Sequence, residues 1–542
     1  MARPPAFRLR FLTAALVIAG LAAATTLSCG RDVPADSQWM VHVRALADDA
    51  LEGRETASRG YAMAAEYVAR ELKRFGVEPA GDSGSYFQRV PFLARRVLEE
   101  KCALALRRGR RARTLTLGRD AVLSMRPDHA ASVDARLVFV GYGLHIPELG
   151  YSDLEGVNLR GAVAVYVQGT PESIRGVRAA HASSTAERWK AMRAAGAIGV
   201  VRIPDPSRQP YAWSRVAARR FEPSLVLDGR EFDGSEGMTV SLYWNSNRAD
   251  QLFKGARFSF ASIRRLAASS RRLPRFALPY RLEATIASAV TPTECRNVAG
   301  IIRGSDRALR NEIVVLSSHL DHLGVGTPVD GDSIYNGAMD NASGCATLLE
   351  VAREMRRSGR QPKRSVLLLF TTGEEPGLFG ATYFAATPTV PGGRVVADLN
   401  VDMFLPIQPI RGITAYGFEE SDLGDDARAV ATHESLRIVP DHAPQRNYFT
   451  RSDQYPFAQR GIPALMIEAG PIDSAGRAAE REWNRTRYHE PSDEASQEID
   501  LAAADRYNRY VLALAYRVAD RATTPRWRTK SAFHRYARGG SR

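Results

Sequence analysis

Cysteine is scarce in this sequence, with four residues among 542. Three of them, Cys102, Cys295 and Cys345, lie far apart and match no thiolate metal spacing such as C-x-x-C. Cys345 lies within a helical pattern, which predicts a small buried side chain. A disulfide between Cys102 and Cys295 stays open as an interpretation for an oxidising compartment. The cysteine pattern therefore argues against a thiolate-bound metal.

A concentrated basic surface is also missing. The formal net charge is +14, but the arginines responsible for it are scattered along the chain. No basic run is interleaved with aromatic residues, as a platform for single-stranded nucleic acid would need. We therefore predict no nucleic-acid partner. Only residues 523–542 concentrate basic residues, and their composition predicts a solvated basic tail.

The first residues have the pattern of an export signal. Three arginines precede an apolar run at residues 11–27, and small residues follow it. We predict that residues 1–29 direct export, which makes the mature protein periplasmic, lipid-anchored to the envelope, or secreted. A short membrane anchor is the competing interpretation. Cys29 resembles a bacterial lipoprotein site, so membrane attachment through a lipid on Cys29 stays open.

Hydrophobic periodicity divides the rest of the chain. A helical pattern covers residues 38–76, and β-like sequence continues to about residue 125. Short strand patterns bounded by glycine then indicate a compact module. From about residue 290, buried strand patterns alternate with helical patterns, the last at residues 500–520. This alternation predicts an α/β fold with a mixed, mostly parallel central sheet sandwiched by helices.

Histidine and carboxylate side chains follow the predicted strands. In open α/β sheets, ligands bind where the carboxyl ends of the strands meet the following loops. Five segments deliver such residues to that edge: His319 with Asp321, Asp340, Glu374 with Glu375, Asp402, and His489. Each residue alone has an ordinary explanation, such as helix capping by Asp340. Together the carboxylates would repel one another, and a divalent cation is the usual means of holding such a cluster.

Local geometry suggests roles for two of these pairs. His319 and Asp321 point the same way on an extended chain, so the Asp321 carboxylate is predicted to orient His319 as a metal ligand. Glu374 and Glu375 are adjacent and must project in different directions. One carboxylate can therefore bind a metal while the other faces a bound water.

The donor set suits zinc. It combines nitrogen and oxygen without thiolate, which favours Zn²⁺ and also accommodates Mn²⁺ or Co²⁺. The number of donors fits two ions per chain, which can lower the pKa of a shared water. In that assignment Asp340 bridges the ions, His319 and Asp402 complete one, and Glu375 and His489 complete the other.

The motifs resemble a known family. The segments "SSHLDHLG", "NGAMDNASG", "FTTGEEPGLFG", "NVDM" and "RYHEPSD" occur in an order similar to the dinuclear-zinc exopeptidases, a group that includes bacterial leucine aminopeptidases, aminopeptidase Y and glutamate carboxypeptidase. The resemblance implies zinc on His319, Asp340, Glu375, Asp402 and His489, with Glu374 as general base. It also implies a cis peptide bond between Asp340 and Asn341.

The resemblance further suggests how the chain is divided. The module with "FVGYG", "NLRGAVAVYVQG" and "AAGAIGVV" looks like an inserted protease-associated domain. We therefore expect an export signal, the N-terminal part of a peptidase domain, the inserted domain, the zinc peptidase domain and a basic tail. Their predicted bounds are residues 1–29, 36–128, 130–265, 275–522 and 523–542.

For this family the expected reaction is hydrolysis at a peptide end. The resemblance implies that a hydroxide bridging the two ions attacks the carbonyl, with Glu374 moving the proton. Tyr448 is a candidate to stabilise the oxyanion. Glu419 and Glu420 are candidates to bind a free α-amine, with solvated surface glutamates as the competing interpretation. Gln454 departs from the histidine common in relatives, which puts specificity rather than chemistry in question.

Three alternatives to an aminopeptidase stay open. A carboxypeptidase of the same fold would cleave the other end of the peptide. A single-metal glutaminyl cyclotransferase would need only one ion. A receptor-like peptide-binding protein would have lost ligands, and none is missing from this sequence. The oligomeric state cannot be predicted from the sequence.

Overall fold

The computed structural model describes residues 37–205, 212–269 and 271–537. The predicted export signal and Cys29 lie outside these residues. No helix in the described ranges is long and apolar enough to cross a membrane.

The larger of two main sheets, called the large sheet below, has four parallel strands at its centre and antiparallel strands on both sides. Alternate residues of these buried strands enter two different cores. Val314 and Leu316 pack with helices on one face, and Ile313 and Val315 pack with helices on the other. The predicted α/β class with a mixed central sheet between helices is therefore confirmed.

The strands of the large sheet are, from edge to edge, Ser224–Leu227, Phe87–Val97, Ser288–Ile302, Ser365–Thr371, Glu312–His319, Arg394–Val401, Ala464–Ala469, Gly412–Tyr416 and Arg437–Ile438, with Glu78–Pro79 paired to Ser288–Ile302. The second sheet, called the small sheet, has in order Arg111–Leu115, Ala103–Arg108, Arg275–Thr285, Ser132–Val140, Val163–Val167, Gly199–Ile203, Val240–Trp244 and Ala121–Leu123. Two short hairpins pair Gly324–Val329 with Asp332–Tyr335, and His145–Ile146 with Tyr151–Ser152.

The α-helices span Gln38–Leu46, Arg59–Arg74, Val177–Ser183, Thr185–Ala194, Trp213–Ala218, Asp250–Phe253, Phe260–Ala268, Ser343–Arg357, Glu374–Gly377, Phe379–Ala386, Leu423–His433, Gln454–Gln459, Ser474–Thr486 and Leu501–Asp520. The predicted helical segment at residues 38–76 is therefore two helices. Irregular chain between them carries Arg54, whose buried guanidinium donates hydrogen bonds to backbone carbonyls beside the metal-site segments.

Strand pairing divides the chain differently from the predicted domain bounds. Residues 103–123, expected in the peptidase part, pair within the small sheet, while Ser224–Leu227 of the expected insertion joins the large sheet. Sequence composition could not reveal these exchanges because pairing partners lie far apart in the chain. The domain assignment itself stays a prediction.

The disulfide between Cys102 and Cys295, which the sequence left open, is not formed. Cys102 and Cys295 are both free thiols. The Thr372 hydroxyl donates to Cys295 Sγ over 3.0 Å, whereas Cys102 Sγ accepts from the Ala287 N–H over 3.4 Å.

The prediction of a solvated tail is wrong for its described part, residues 523–537. Phe533 is completely buried and Trp527 is 6% exposed. Both pack with Phe449 and Tyr455 of the large-sheet region. Phe533 and Tyr536 also contact the ring of His181, which belongs to a helix beside the small sheet. The count of basic residues in this segment concealed its apolar anchors.

Candidate metal centre

Three of the predicted site segments lie at the carboxyl ends of adjacent strands in the large sheet. His319 is the last residue of its strand, Asp402 directly follows another, and Glu374 and Glu375 open the short helix after Ser365–Thr371. Gly373 has a φ of +68°, which turns the chain sharply between that strand and the two glutamates.

One group of donors surrounds His319. Its Nε2 lies 3.2 Å from Asp340 Oδ1 and 3.2 Å from Asp402 Oδ1. All three residues are buried, with His319 only 1% exposed. These spacings leave room for one divalent cation among a nitrogen and two carboxylate oxygens.

A second group shares the Asp340 carboxylate. Its other oxygen, Oδ2, lies 3.2 Å from His489 Nε2, which is itself 3.3 Å from Glu375 Oε2. His322 also belongs here, because its Nδ1 lies 2.8 Å from Glu375 Oε1. The structure thus brings together all five residues expected to hold metal, and it adds His322.

The electrostatics of the cluster favour a bound cation. Burial raises the pKa of Glu374 well above its usual range, and the Asp402 and Glu375 carboxylates add to that rise. Burial alone would lower the pKa of His319, but the Asp402 and Glu374 carboxylates raise it well above its usual value. Charged carboxylates this close repel one another unless a positive charge lies among them. The donor chemistry and spacing therefore fit two divalent cations.

Asp321 has a different role from the one predicted. His319 Nδ1 contacts the backbone carbonyl of Asp321 at 3.0 Å rather than its carboxylate. The carboxylate instead accepts hydrogen bonds from the N–H groups of Glu374, at 3.1 Å, and Glu375, at 3.3 Å, and from the Thr56 hydroxyl, at 2.9 Å. Asp321 consequently fixes the turn that carries the two glutamates.

The Asp340 segment is held by side chains that the sequence reasoning missed. The Asp340–Asn341 bond is cis, as the resemblance implied. Asp493 accepts hydrogen bonds from the N–H groups of Met339 and Asp340, at 3.0 Å each. Asn341 donates to the Val401 carbonyl and the Ser318 hydroxyl, also at 3.0 Å. Asp493 could have been noticed because it ends the segment "RYHEPSD", four residues after His489.

Gln454 does not face the metal donors. It is fully buried, donates from Nε2 to the Phe449 carbonyl over 2.7 Å and accepts from Asn400 over 2.9 Å. The residue before it in sequence, Asp453, lies nearer the charged cluster, and burial raises its pKa to about 7. Asp453 was missed because a lone aspartate outside the motifs gives no signal.

The candidates for substrate contacts differ in position. Tyr448 lines the cleft over the metal donors, and its hydroxyl accepts a hydrogen bond from Arg446 over 2.8 Å. Arg451, which was not predicted, lines the same cleft and donates to the Tyr488 hydroxyl over 3.1 Å. Glu420 instead accepts bonds from Ser531 and Ala532, and neither Glu419 nor Glu420 lines the cleft. The suggestion that they bind an α-amine is wrong.

The cleft has a volume of about 1270 Å³. Its floor carries the metal donors and Glu374. The cleft is also lined by residues 184–187, beside the small sheet, and by residues 226–238, which begin at the end of the large-sheet strand Ser224–Leu227. A smaller cavity of about 220 Å³ adjoins it and shares Met403 and Tyr448 with it.

Three known proteins are similar to this chain in fold or in sequence. An aminopeptidase from Aneurinibacillus has a similar fold, with a TM-score of 0.51 and 19% identity over 90% of this chain and 94% of its own. Glutaminyl-peptide cyclotransferase of Bos taurus is 27% identical over 288 residues, which cover 46% of this chain and 78% of that protein. A probable zinc metalloprotease of Leptosphaeria maculans is 36% identical over 112 residues, 21% of this chain but only 25% of the relative.

The family comparison concerns the part of the chain that carries every metal donor described above. The sequence model of Peptidase family M28 matches residues 297–515. This range contains both donor groups and Glu374. Residues 297–515 of this chain are therefore similar to peptidase family M28.

Proposed function

We propose that this protein is a zinc-dependent exopeptidase, and specifically an aminopeptidase. The observation that carries the proposal is the Asp340 carboxylate, whose two oxygens face two different histidines, His319 and His489, at 3.2 Å. Glu374 lies beside both groups without being part of either. A paired metal centre with an adjacent free carboxylate can activate a water and transfer its proton, which are the two steps needed for metal-assisted peptide hydrolysis.

The metal donors, Glu374 and Tyr448 have different roles in the proposed reaction. Two zinc ions bound by the donor groups would supply positive charge that polarises the scissile carbonyl and acidifies water. A Glu374 carboxylate oxygen accepts a proton from the water that attacks the carbonyl carbon. As the carbon–nitrogen bond breaks, the same oxygen returns that proton to the leaving amine nitrogen. Tyr448 lies on the cleft wall, where it can donate to the developing oxyanion.

The small cavity beside the proposed metal centre is a candidate pocket for the terminal residue of a peptide. Its walls combine apolar residues, among them Met403 and Leu405, with charged residues, among them Arg411, Glu468 and Glu480. Burial raises the pKa of Glu468 well above its usual range, and the nearby Glu480 carboxylate raises it further. The cavity has room for a terminal side chain, and the charged residues that line it, of both signs, do not by themselves select the amino or the carboxyl end of a peptide.

A second candidate is glutaminyl cyclotransferase activity. It is favoured by one observation, the alignment with the bovine glutaminyl-peptide cyclotransferase over 78% of that protein. Cyclisation releases ammonia from an N-terminal glutamine and shortens no peptide. The two reactions are therefore separated by their products.

We also propose that the protein is exported. The support is the pattern of residues 1–29, with Cys29 as a candidate for lipid attachment. Among the curated relatives, two are named vacuolar membrane protease. Labelling with a radioactive fatty acid, compared between the wild type and Cys29→Ser, tests the lipid.

The decisive experiment uses mature protein with zinc and a pool of peptides, some blocked at the N-terminus and others at the C-terminus. We expect stepwise loss of residues only from free N-termini, read by mass spectrometry. Glu374→Gln is the matched control, because it keeps the shape of the side chain and removes the base. Loss from C-termini would identify a carboxypeptidase, and a 17 Da loss from N-terminal glutamine, the mass of ammonia, would identify a cyclase. No change in any peptide would contradict the proposal.

A further inference from the structure

His322 is a buried histidine that the expected set of metal ligands does not use. It is 1% exposed, and in the described part of the chain neither of its ring nitrogens makes a hydrogen bond. Its Nδ1 lies 2.8 Å from Glu375 Oε1, but that contact lacks hydrogen-bond geometry. An imidazole buried without such bonds is costly, so its position needs another explanation.

Two imidazoles flank the same carboxylates. The rings of His322 and His489 lie 5.7 Å apart and nearly perpendicular, at 77°. His489 faces Asp340 Oδ2 and Glu375 Oε2, while single donor atoms of His322, Asp340 and Glu375 all lie within 4.8 Å of one another. A divalent cation placed among them would satisfy both the carboxylates and the otherwise unbonded imidazole.

We propose that His322 is a further nitrogen ligand of the ion shared by Asp340 and Glu375. This inference rests on the metal centre of the proposed function. The ion on this side would have four protein residues as donors, His322, His489, Asp340 and Glu375. The ion on the other side has three, His319, Asp340 and Asp402.

The two sides therefore have different tasks. Four protein donors are typical of zinc sites that hold the ion permanently, whereas three donors leave a position open for water or substrate. The His322 side should bind zinc more tightly, and the His319 side should be the one that exchanges its ion and contacts the substrate carbonyl. Because Asp340 belongs to both groups, the tightly held ion also fixes the carboxylate that the second ion needs.

The test measures metal rather than turnover. Metal-free full-length protein is titrated with zinc by calorimetry, and zinc content is measured after dialysis against a graded chelator. We expect two ions of unequal affinity in the wild type. In His322→Gln, the tighter affinity falls by tenfold or more, while the weaker ion still binds when zinc is in excess. Cobalt substituted at the tight position should also change its visible absorption in this variant.

Two variants control for indirect effects. His42→Gln alters another buried histidine with an unbonded Nε2, whose Nδ1 contacts the Tyr67 hydroxyl rather than a metal donor, and should leave both zinc affinities unchanged. His322→Asn presents a short amide that can donate a hydrogen bond toward Glu375 but is a poor zinc ligand. Zinc affinities or cobalt spectra equal to the wild type in His322→Gln, or full rescue by His322→Asn, would overturn the ligand role. If the wild-type protein binds no zinc, the proposed function itself fails. Thermal melting with excess zinc shows whether each variant is folded.

Discussion

The large and small sheets each contain four consecutive parallel strands, but only one of them carries chemistry. In the large sheet, the central strands lead directly into His319, the Glu374–Glu375 pair and Asp402. In the small sheet, the corresponding positions after the strands are Gly141, Gln168, Pro204 and Asn245. Within the described residues, the groups able to hold a metal lie only at the large sheet. Parallel strands supply a place for a site, and the residues that follow them decide whether a site exists.

The largest expected effect is a loss of peptidase activity at the large sheet that leaves the metal centre and the fold intact. Glu374→Gln should lower peptidase activity by about 10²- to 10⁴-fold, because it removes the group that transfers the proton. Zinc content, measured by mass spectrometry of the metal, should stay at the wild-type value. Glu375→Gln, the neighbouring change, should lose zinc instead. If Glu374→Gln retains full activity, the assignment of the base is wrong.

A control from the small sheet sharpens the same contrast. Asp153 directly follows the short hairpin of His145–Ile146 and Tyr151–Ser152 near that sheet, is fully buried and accepts hydrogen bonds from the Tyr151 hydroxyl, at 2.8 Å, and the Leu144 N–H, at 3.2 Å. Asp153→Asn should lower the melting temperature but leave zinc content unchanged. This result would separate a buried carboxylate that only stabilises the fold from the carboxylates proposed to bind metal.

The next effect concerns the contact between the two regions. Phe533 contacts His181 beside the small sheet and Phe449 and Trp527 of the large-sheet region. Phe533→Ala should lower the free energy of unfolding by about 3–5 kcal/mol, measured by denaturant titration, because it leaves a cavity between packed rings. Phe221→Ala, at a position 53% exposed, is the matched control and should cost about 1 kcal/mol or less. Equal losses in both variants would contradict the buried role of the tail.

A smaller effect should follow from Asp321, which acts on the large-sheet site through the backbone. The Asp321 carboxylate accepts three hydrogen bonds through its two oxygens. In Asp321→Asn, one of these oxygens becomes an NH₂ group, which donates and cannot accept. We expect zinc affinity and activity to fall by about 10- to 100-fold. Thr56→Val removes only one of the three bonds and should have a smaller effect in the same titration. An unchanged affinity in Asp321→Asn would show that the turn at Glu374 holds its position without this carboxylate.

The sequence predicted the catalytic region better than it predicted the connections between regions. Buried runs such as "SVLLLF" identified the parallel strands, because that signal is local, and polar residues at strand ends and in loops predicted five metal donors that the structure brings together. The exchange of Ser224–Leu227 into the large sheet depends on pairing across more than a hundred residues, which no local pattern records. The role of Asp321 depended on which of its oxygens faces His319, and the importance of His322 appears only when the fold brings it to Glu375.

The smallest expected effect is a dependence of stability on pH, which arises from His181 at the contact between the two regions. Burial, together with the nearby charges of Arg535 and Lys190, lowers the pKa of His181 to about 3. The Tyr455 and Tyr536 hydroxyls lie 2.8 and 3.1 Å from its ring nitrogens, and Glu187 Oε2 lies 3.8 Å away. Between about pH 6.5, the ordinary value for histidine, and pH 3, the unfolded chain binds a proton that the folded chain does not. The contribution of His181 to the free energy of unfolding is therefore at its full value above pH 6.5, where the imidazole is neutral in both states, and it declines as the pH falls.

This loss is limited to about 1.4 kcal/mol per pH unit for one group. From pH 7 to pH 5, the wild type should lose about 2 kcal/mol more of its free energy of unfolding than His181→Gln, measured by denaturant titration at each pH. His433→Gln, at an exposed position, is the matched control and should follow the wild type. If His181→Gln loses as much stability as the wild type, then His181 becomes protonated within the folded protein, and the contact between the two regions has room for its charge beside Glu187.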